Sequence, residues 1–191
     1  YINIVGTDTK RLSVFRFETP TQSEFSLIIP KKAISEIQKL FFDKIEIYYD
    51  DTTLIAQSAN FEFFTKLING RFPDYNRVIP QEIKRRLRLS RDKMIEGIKT
   101  VSIISESTKI VFAPQTISFE SIVEDNSEAK TTIEFATGLE EEIYVGVKNR
   151  YLLDFLQSIE EEHFEFGFND SNLAFTVSSN ELKTVIMPIN L

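Results

Sequence analysis

Apolar positions along the chain fall into short alternating runs, interrupted by three stretches with helical spacing. Residues 2–5 and 12–17 are β-branched and aromatic runs flanking the polar Thr7-Asp8-Thr9-Lys10, and predict two strands joined by a turn. Residues 25–29 predict a further strand. Pro30 then opens a helix over 31–41, where its missing N–H costs nothing, and Ala33, Ile34, Ile37, Leu40 and Phe41 follow the three-or-four spacing of one buried stripe. Ile45, Ile47 and Tyr49 alternate as a strand. Asp50-Asp51 turns the chain, and 54–56 and 61–67 return as strands.

Beyond Pro80 the same grammar recurs twice. A strand over 85–89 leads through Ser90, a candidate N-cap, into a helix over 91–102 that buries Met94, Ile95, Ile98 and Val101. Strands follow at 109–112, 116–123 and 131–135, the last two joined by the polar hairpin 124–130. The next copy has a strand at 143–147, a helix at 149–159 burying Leu152, Phe155, Leu156 and Ile159, and strands at 163–168, 173–177 and 182–187. The helices begin after Pro30, Ser90 and Lys148, so a unit of one helix and several strands repeats at about sixty residues. One unit cannot cover both faces of its own sheet. Pairing of units around a shared core is therefore expected, with the helices on one side: an α+β fold of duplicated βαβββ-type units.

The 191 residues and 42% hydrophobic content suffice for one large domain or two small ones. No apolar run reaches transmembrane length, and residues 1–10 lack the layout of a signal peptide. Absence of cysteine removes disulfides, thiolate metal sites and cysteine nucleophiles, and fits a reducing cytoplasm. The single histidine, His163, lies on the strand face opposite Phe164, Phe166 and Phe168, with no serine or acid at a catalytic spacing. No phosphate loop, dinucleotide fingerprint or zinc spacing is present, so neither catalysis nor a cofactor is expected. Asp50-Asp51 and Asn169-Asp170 leave open a metal-dependent hydrolase. Both pairs occupy equivalent turns of the repeat, where such residues serve the backbone.

A net charge of −7 argues at first against nucleic acid, because phosphate binding relies on lysine and arginine. The distribution matters more. Lys31, Lys32 and Lys39, then Arg91 and Lys93, then Lys148 and Arg150 lie on or beside the helix faces opposite the apolar stripes. Acids gather in turns, at 140–142, 160–162 and 50–51. These cations are either ordinary solvated helix surface or, with helices co-directed, a wall that contacts phosphate without reading bases.

Residues 66–80, KLINGRFPDYNRVIP, form a connector shaped by Gly70, Pro73, Asp74 and Pro80. It is either a rigid inter-domain loop or one side of a site. This stretch closely resembles the segment joining the second and third domains of the bacterial replicative sliding clamp, the DNA polymerase III β subunit. GTDTKRLSVF (6–15) is similar to that family's TDGHRLAV, and the ending VIMPINL (185–191) to its VVMPMRL. The three matches keep the family's order and span the chain, but correspond to only about the last half of a complete clamp. The chain also starts in apparent mid-strand, so a fragment is expected.

The resemblance implies a DNA-clamp fold with helices on the inner, DNA-facing side and antiparallel sheets outside. A middle domain, incomplete at its N-terminus, would occupy 1–79 and a C-terminal domain 80–191. It also implies a groove between them, formed by Thr7, Lys10, Leu12, Pro73, Arg77, Val78, Tyr151, Val185, Ile186, Met187, Pro188, Ile189, Asn190 and Leu191. The groove would receive an extended Gln-Leu-x-Leu-Phe-like peptide from the polymerase III α subunit, the clamp loader and repair proteins. Ile103 and Ile104, with Glu120, Glu124 and Glu128, would lie at a head-to-tail homodimer contact that closes a ring on double-stranded DNA; the fragment alone is not expected to close one. Thr9-Lys10 replaces the usual Gly-His, Asn76 stands at a position often basic, and Asn190 replaces an arginine, so the rim of the groove is expected to differ. The alternative of another class is a peptide-binding scaffold of duplicated units with no DNA role, for which a cationic helix wall is unnecessary.

Overall fold

A computed structural model describes residues 1–20, 24–122 and 129–189. The chain divides into two compact units: Tyr1–Pro20 together with Tyr75–Leu191, and Thr21–Asp74. The chain opens on the antiparallel hairpin of β1 (Ile2–Thr7) and β2 (Arg11–Phe17). The smaller unit follows, with α1 (Lys31–Leu40) and a three-stranded antiparallel sheet of β3 (Glu46–Tyr49), β4 (Thr53–Gln57) and β5 (Glu62–Lys66). A single 3₁₀ turn, Tyr75–Arg77, leads back into the larger unit.

There the repeat is explicit. The first copy is β6 (Arg85–Ser90), α2 (Arg91–Ser102), β7 (Ser107–Phe112), β8 (Thr116–Ser121) and β9 (Lys130–Glu134). The second is β10 (Ile143–Lys148), α3 (Asn149–Ser158), β11 (His163–Phe168), β12 (Phe175–Ser179) and β13 (Leu182–Ile186). Each copy contributes its first strand to the other's sheet. β6 pairs with β11, and β10 with β7, giving the orders β1-β2-β13-β12-β11-β6 and β10-β7-β8-β9. The two helices pack on each other, α2 against β6–β9 and α3 against β10 and β13.

Strand alternation sends one side chain in two into a shared core. Phe166 stacks on Phe175 at 4.9 Å between ring centroids, and Phe112 lies 5.2 Å from both Phe166 and Phe168. Met94, Ile98 and Val101 of α2 and Leu152 and Leu156 of α3 are fully buried. Gly97 lets α2 approach the sheet, because a Cβ there would run into the Phe119 ring. Where α3 begins, buried Asn149 accepts from the Thr108 hydroxyl at 2.6 Å and donates to the Ser105 carbonyl at 2.7 Å. Among the described residues no buried side-chain N or O lacks a partner, as a dry core requires.

Several local expectations are corrected. Residues 25–29 read as a strand in sequence, but among the described residues they gain one backbone bond, from the Ile68 N–H to the Ile28 carbonyl at 2.9 Å, and join no ladder. The turn after β11 runs on through Leu173, whose N–H donates to the Asp170 carbonyl, which delays β12 to Phe175. Ser90 holds the N-cap position without a side-chain capping bond. In α1 only Ala33 of the predicted stripe is buried, and Ile34 is 40% exposed. Most of the expected 124–130 hairpin lies outside the described residues.

Candidate functional site

The β1–β2 turn is built around Asp8. Its Oδ1 accepts the N–H groups of Lys10 (3.1 Å) and Arg11 (3.0 Å), while the Thr7 hydroxyl donates to the Arg11 carbonyl at 2.8 Å. Thr9, in the place where the resembled family has glycine, adopts φ of 71°. The turn therefore keeps a glycine-like backbone in a region that a β-branched residue enters at a cost.

From this turn a straight row crosses the six-stranded sheet. Thr7 is opposite Leu12, Leu12 opposite Val185, Val185 opposite Thr176, and Thr176 opposite Gly167. This row faces away from the Phe core, yet Leu12, Val185 and Thr176 are each at most 5% exposed. Part of the cover is Ile83, which occupies the space a Cβ at Gly167 would need. Tyr75, at the start of the 3₁₀ turn, accepts from the Asn3 side-chain amide at 2.9 Å, so this end of the connector is tied to β1. The tail continues the wall: the Met187 N–H donates to the Lys10 carbonyl and the Ile189 N–H to the Gly146 carbonyl, both at 2.9 Å. Met187 and Val78 are left 44% and 48% exposed.

Thr7, Lys10, Leu12, Val185 and Met187 are thus brought together on one side of the larger unit, with Arg77, Val78, Pro188 and Ile189 on the connector and the tail of that same unit. Ile186 does not join them. Period-two alternation turns it inward, and it is fully buried with Phe175. Pro73, exposed, belongs to the smaller unit. Asn190 and Leu191 lie outside the described residues. Sequence reading missed Thr176, Gly167 and Ile83; the signal was Gly167 itself, a missing side chain at the outward position between Phe166 and Phe168.

Arg11 was missed as well, and it links the turn to α3. Its Nε bonds Asp8 Oδ2 at 3.0 Å, a terminal guanidinium nitrogen bonds Asp154 Oδ2 at 2.7 Å, and its guanidinium carbon lies 4.7 Å from the centre of the Tyr151 ring. Partial burial pulls the Arg11 pKa down, but Asp154 and Asp8 more than offset it and hold it above its ordinary value. Partial burial pushes the Asp8 carboxyl up. The Arg11 guanidinium and the two turn N–H groups overcome that and keep it below the usual carboxylate range. Asp154 is thus engaged by β2 as well as by its own helix, where Arg150 Nε lies 3.7 Å away.

Among the helix cations, Lys93, Lys148 and Arg150 are exposed. Arg91 braces the helix pair, donating to the Leu156 carbonyl at 2.8 Å and pairing with Asp92 at 2.8 Å. Lys31, Lys32 and Lys39 are exposed on α1 of the smaller unit, where Lys39 pairs with Glu36 at 3.0 Å. At the end of α2, Ile103 is 83% and Ile104 43% exposed. Glu120 on β8 bridges Lys130 at 2.7 Å and Lys109 at 3.3 Å. The Lys130 contact holds its carboxyl below the ordinary range, partial burial opposes this, and Lys109 adds to it. Glu124 and Glu128 lie outside the described residues. The turn aspartates serve the backbone: Asp50 accepts the N–H groups of Thr52 and Thr53 at 2.7 and 2.8 Å, and Asp170 that of Ser171 at 2.7 Å. Among the described residues no group of three or more potential ligands is arranged to hold a metal. No helix among them is long and apolar enough to cross a membrane.

Strand-exchanged βαβββ copies with paired helices and antiparallel sheets define the clamp class of fold, and the solved structures similar to this one agree. A Helicobacter pylori beta clamp bound to a DNA ligase peptide matches with a TM-score of 0.92 at 32% identity, over 99% of this chain and 54% of that one. The DNA polymerase III subunit beta of Pseudomonas aeruginosa matches at 0.91 and 25% identity, over 98% and 55%. The family of the DNA polymerase III beta subunit matches by its central domain over residues 1–74 and by its C-terminal domain over 76–190. The chain belongs to that family. The beta sliding clamp of Helicobacter pylori strain J99 is 32% identical over 207 residues, covering 100% of this chain and 55% of the relative. The chain therefore spans about half the length of the relatives it matches.

Proposed function

We propose that this chain is the second half of a bacterial sliding clamp, which acts on DNA in the cytoplasm and makes or breaks no bond itself. In the full-length protein, two head-to-tail subunits enclose double-stranded DNA, and topology rather than tight contact holds a polymerase on its template. Residues 1–79 are read as part of the middle domain and 80–191 as the C-terminal domain, with the β1–β2 hairpin carrying the sheet across the boundary. Lys93, Lys148 and Arg150 face phosphate, joined by Lys31, Lys32, Lys39 and Arg91. Exposed Ile103 and Ile104 meet the neighbouring subunit, together with Glu120.

The observation that carries the reading is the bond from the Met187 N–H to the Lys10 carbonyl. It supports a groove by joining two motifs that lie at opposite ends of the sequence. Thr7, Lys10, Leu12, Arg77, Val78, Tyr151, Val185 and the tail from Met187 to Ile189 form this landing site for short extended peptides of the polymerase III α subunit, clamp loader and other partners. Seating three apolar side chains contributes about 1.5–3 kcal/mol each. Ordering and association costs reduce this to an affinity on the order of micromolar, weak enough for partners to exchange.

Retention of the full-length protein on nicked circular DNA tests the ring. Neutralising Lys93, Lys148 and Arg150 together is expected to lower loading and flatten its salt dependence by about three charges' worth of slope. Unchanged loading would favour a peptide-binding scaffold without a DNA role.

A further inference from the structure

We infer that Arg11 is the positioning residue of the groove: by fastening the β1–β2 turn to α3, it fixes the Tyr151 ring and the Lys10–Met187 rim in one arrangement. The inference rests on the groove reading above.

Three contacts meet on one side chain that is only 22% exposed. Asp8 holds the guanidinium on the turn side at 3.0 Å, Asp154 on the helix side at 2.7 Å, and the Tyr151 ring lies 4.7 Å away. A planar fork can meet two carboxylates and an aromatic face together, which a lysine ammonium cannot. The second oxygen of Asp8 carries the Lys10 and Arg11 N–H groups, so the guanidinium and the turn backbone share one anchor. Lys10 in turn receives the Met187 N–H. One continuous chain of bonds thus runs from Asp154 on α3 to Met187 on the tail. Tyr151 stands in the first turn of α3, three residues before Asp154, hence on the same helix face. A wall fixed before the peptide arrives removes an ordering cost from binding. Arg11 acts through Tyr151 and the rim rather than by touching the peptide.

The test uses the full-length protein, a fluorescein-labelled Gln-Leu-Ala-Leu-Phe peptide, and fluorotyrosine NMR with the residue 151 signal assigned by Tyr151→Phe. Arg11→Gln is expected to weaken binding about tenfold, Arg11→Lys about fivefold and Asp154→Asn about threefold, each tenfold step corresponding to about 1.4 kcal/mol. In peptide-free Arg11→Gln the residue 151 resonance should shift and broaden, and saturating peptide should restore it. Weaker binding with an unmoved resonance would mean that Arg11 contacts peptide directly, and would overturn the inference. Unchanged affinity would overturn it too. Should Arg11→Gln fail to fold, Asp154→Asn carries the same readouts from a side chain 45% exposed. If the wild-type protein binds no peptide, the groove reading itself fails.

Discussion

The two compact units are written in the same alphabet, one helix followed by three antiparallel strands, yet they end very differently. In the larger unit a second copy is present, and the first strand of each copy completes the other's sheet. α2 and α3 then bury their stripes against each other and two sheets, around stacked phenylalanines. In the smaller unit there is one copy, and its buried apolar residues are Ala33, Leu54 and Ala56. Ile34, Ile47, Tyr49 and Phe64, the last on the opposite sheet face, remain 40–69% exposed. An amphipathic stripe therefore shows which face of a helix seeks cover, and burial depends on a partner elsewhere in the chain or in a neighbour.

Matched truncations expose this difference most sharply. Ile98→Ala in α2 is expected to cost about 2–5 kcal/mol, as a cavity in a closed core does. Ile34→Ala in α1 should stay within about 0.5 kcal/mol. Urea unfolding followed at each unit would read both. Equal costs would mean that α1 is as well covered as α2. Gly97→Ala probes the same tight packing from the opposite direction, forcing a methyl into the Phe119 ring, and should cost about 1–3 kcal/mol.

Smaller effects lie at the edges of the larger unit. Thr9→Gly relieves a left-handed backbone and should stabilise by about 1 kcal/mol, seen as a rise in thermal midpoint of a few degrees. A fall would show that the Thr9 side chain does more for the turn than its backbone costs. The smallest effect concerns Glu120. Its carboxyl titrates below its ordinary range when folded, so its contribution is present above about pH 4 and is lost as pH falls through the lower folded value. Glu120→Gln should therefore reduce stability slightly at neutral pH and flatten the acid limb of the stability profile. Parallel profiles for the two proteins would contradict the Lys109–Glu120–Lys130 account.

Much of the fold was legible because its signals are local. Helix 91–102 and strand 163–168 have the bounds their periodicity gives, and the sixty-residue repeat is the βαβββ copy. Strand exchange was not legible, since nothing in residues 85–90 says that their partner is β11 rather than β7. Clustering of the turn at 7–10 with the tail at 185–189 was suggested by resemblance rather than by periodicity. Ile186 was assigned to the groove as a member of a contiguous motif, although alternation with Val185 sends it to the core. Arg11 escaped notice because its partners stand 3 and 143 positions away, and only the second of these gives it a role. Asp154 is drawn to β2 by the same contact.

The groove is the central functional claim, and a fluorescence titration of the labelled peptide against the full-length protein tests it most directly. Saturable binding on the order of micromolar is predicted. Met187→Glu, placing a charge at a rim position 44% exposed, should weaken it at least about tenfold while leaving the thermal midpoint unchanged. Equal affinity for the wild-type and Met187→Glu proteins, or no saturation up to about millimolar peptide, would contradict it.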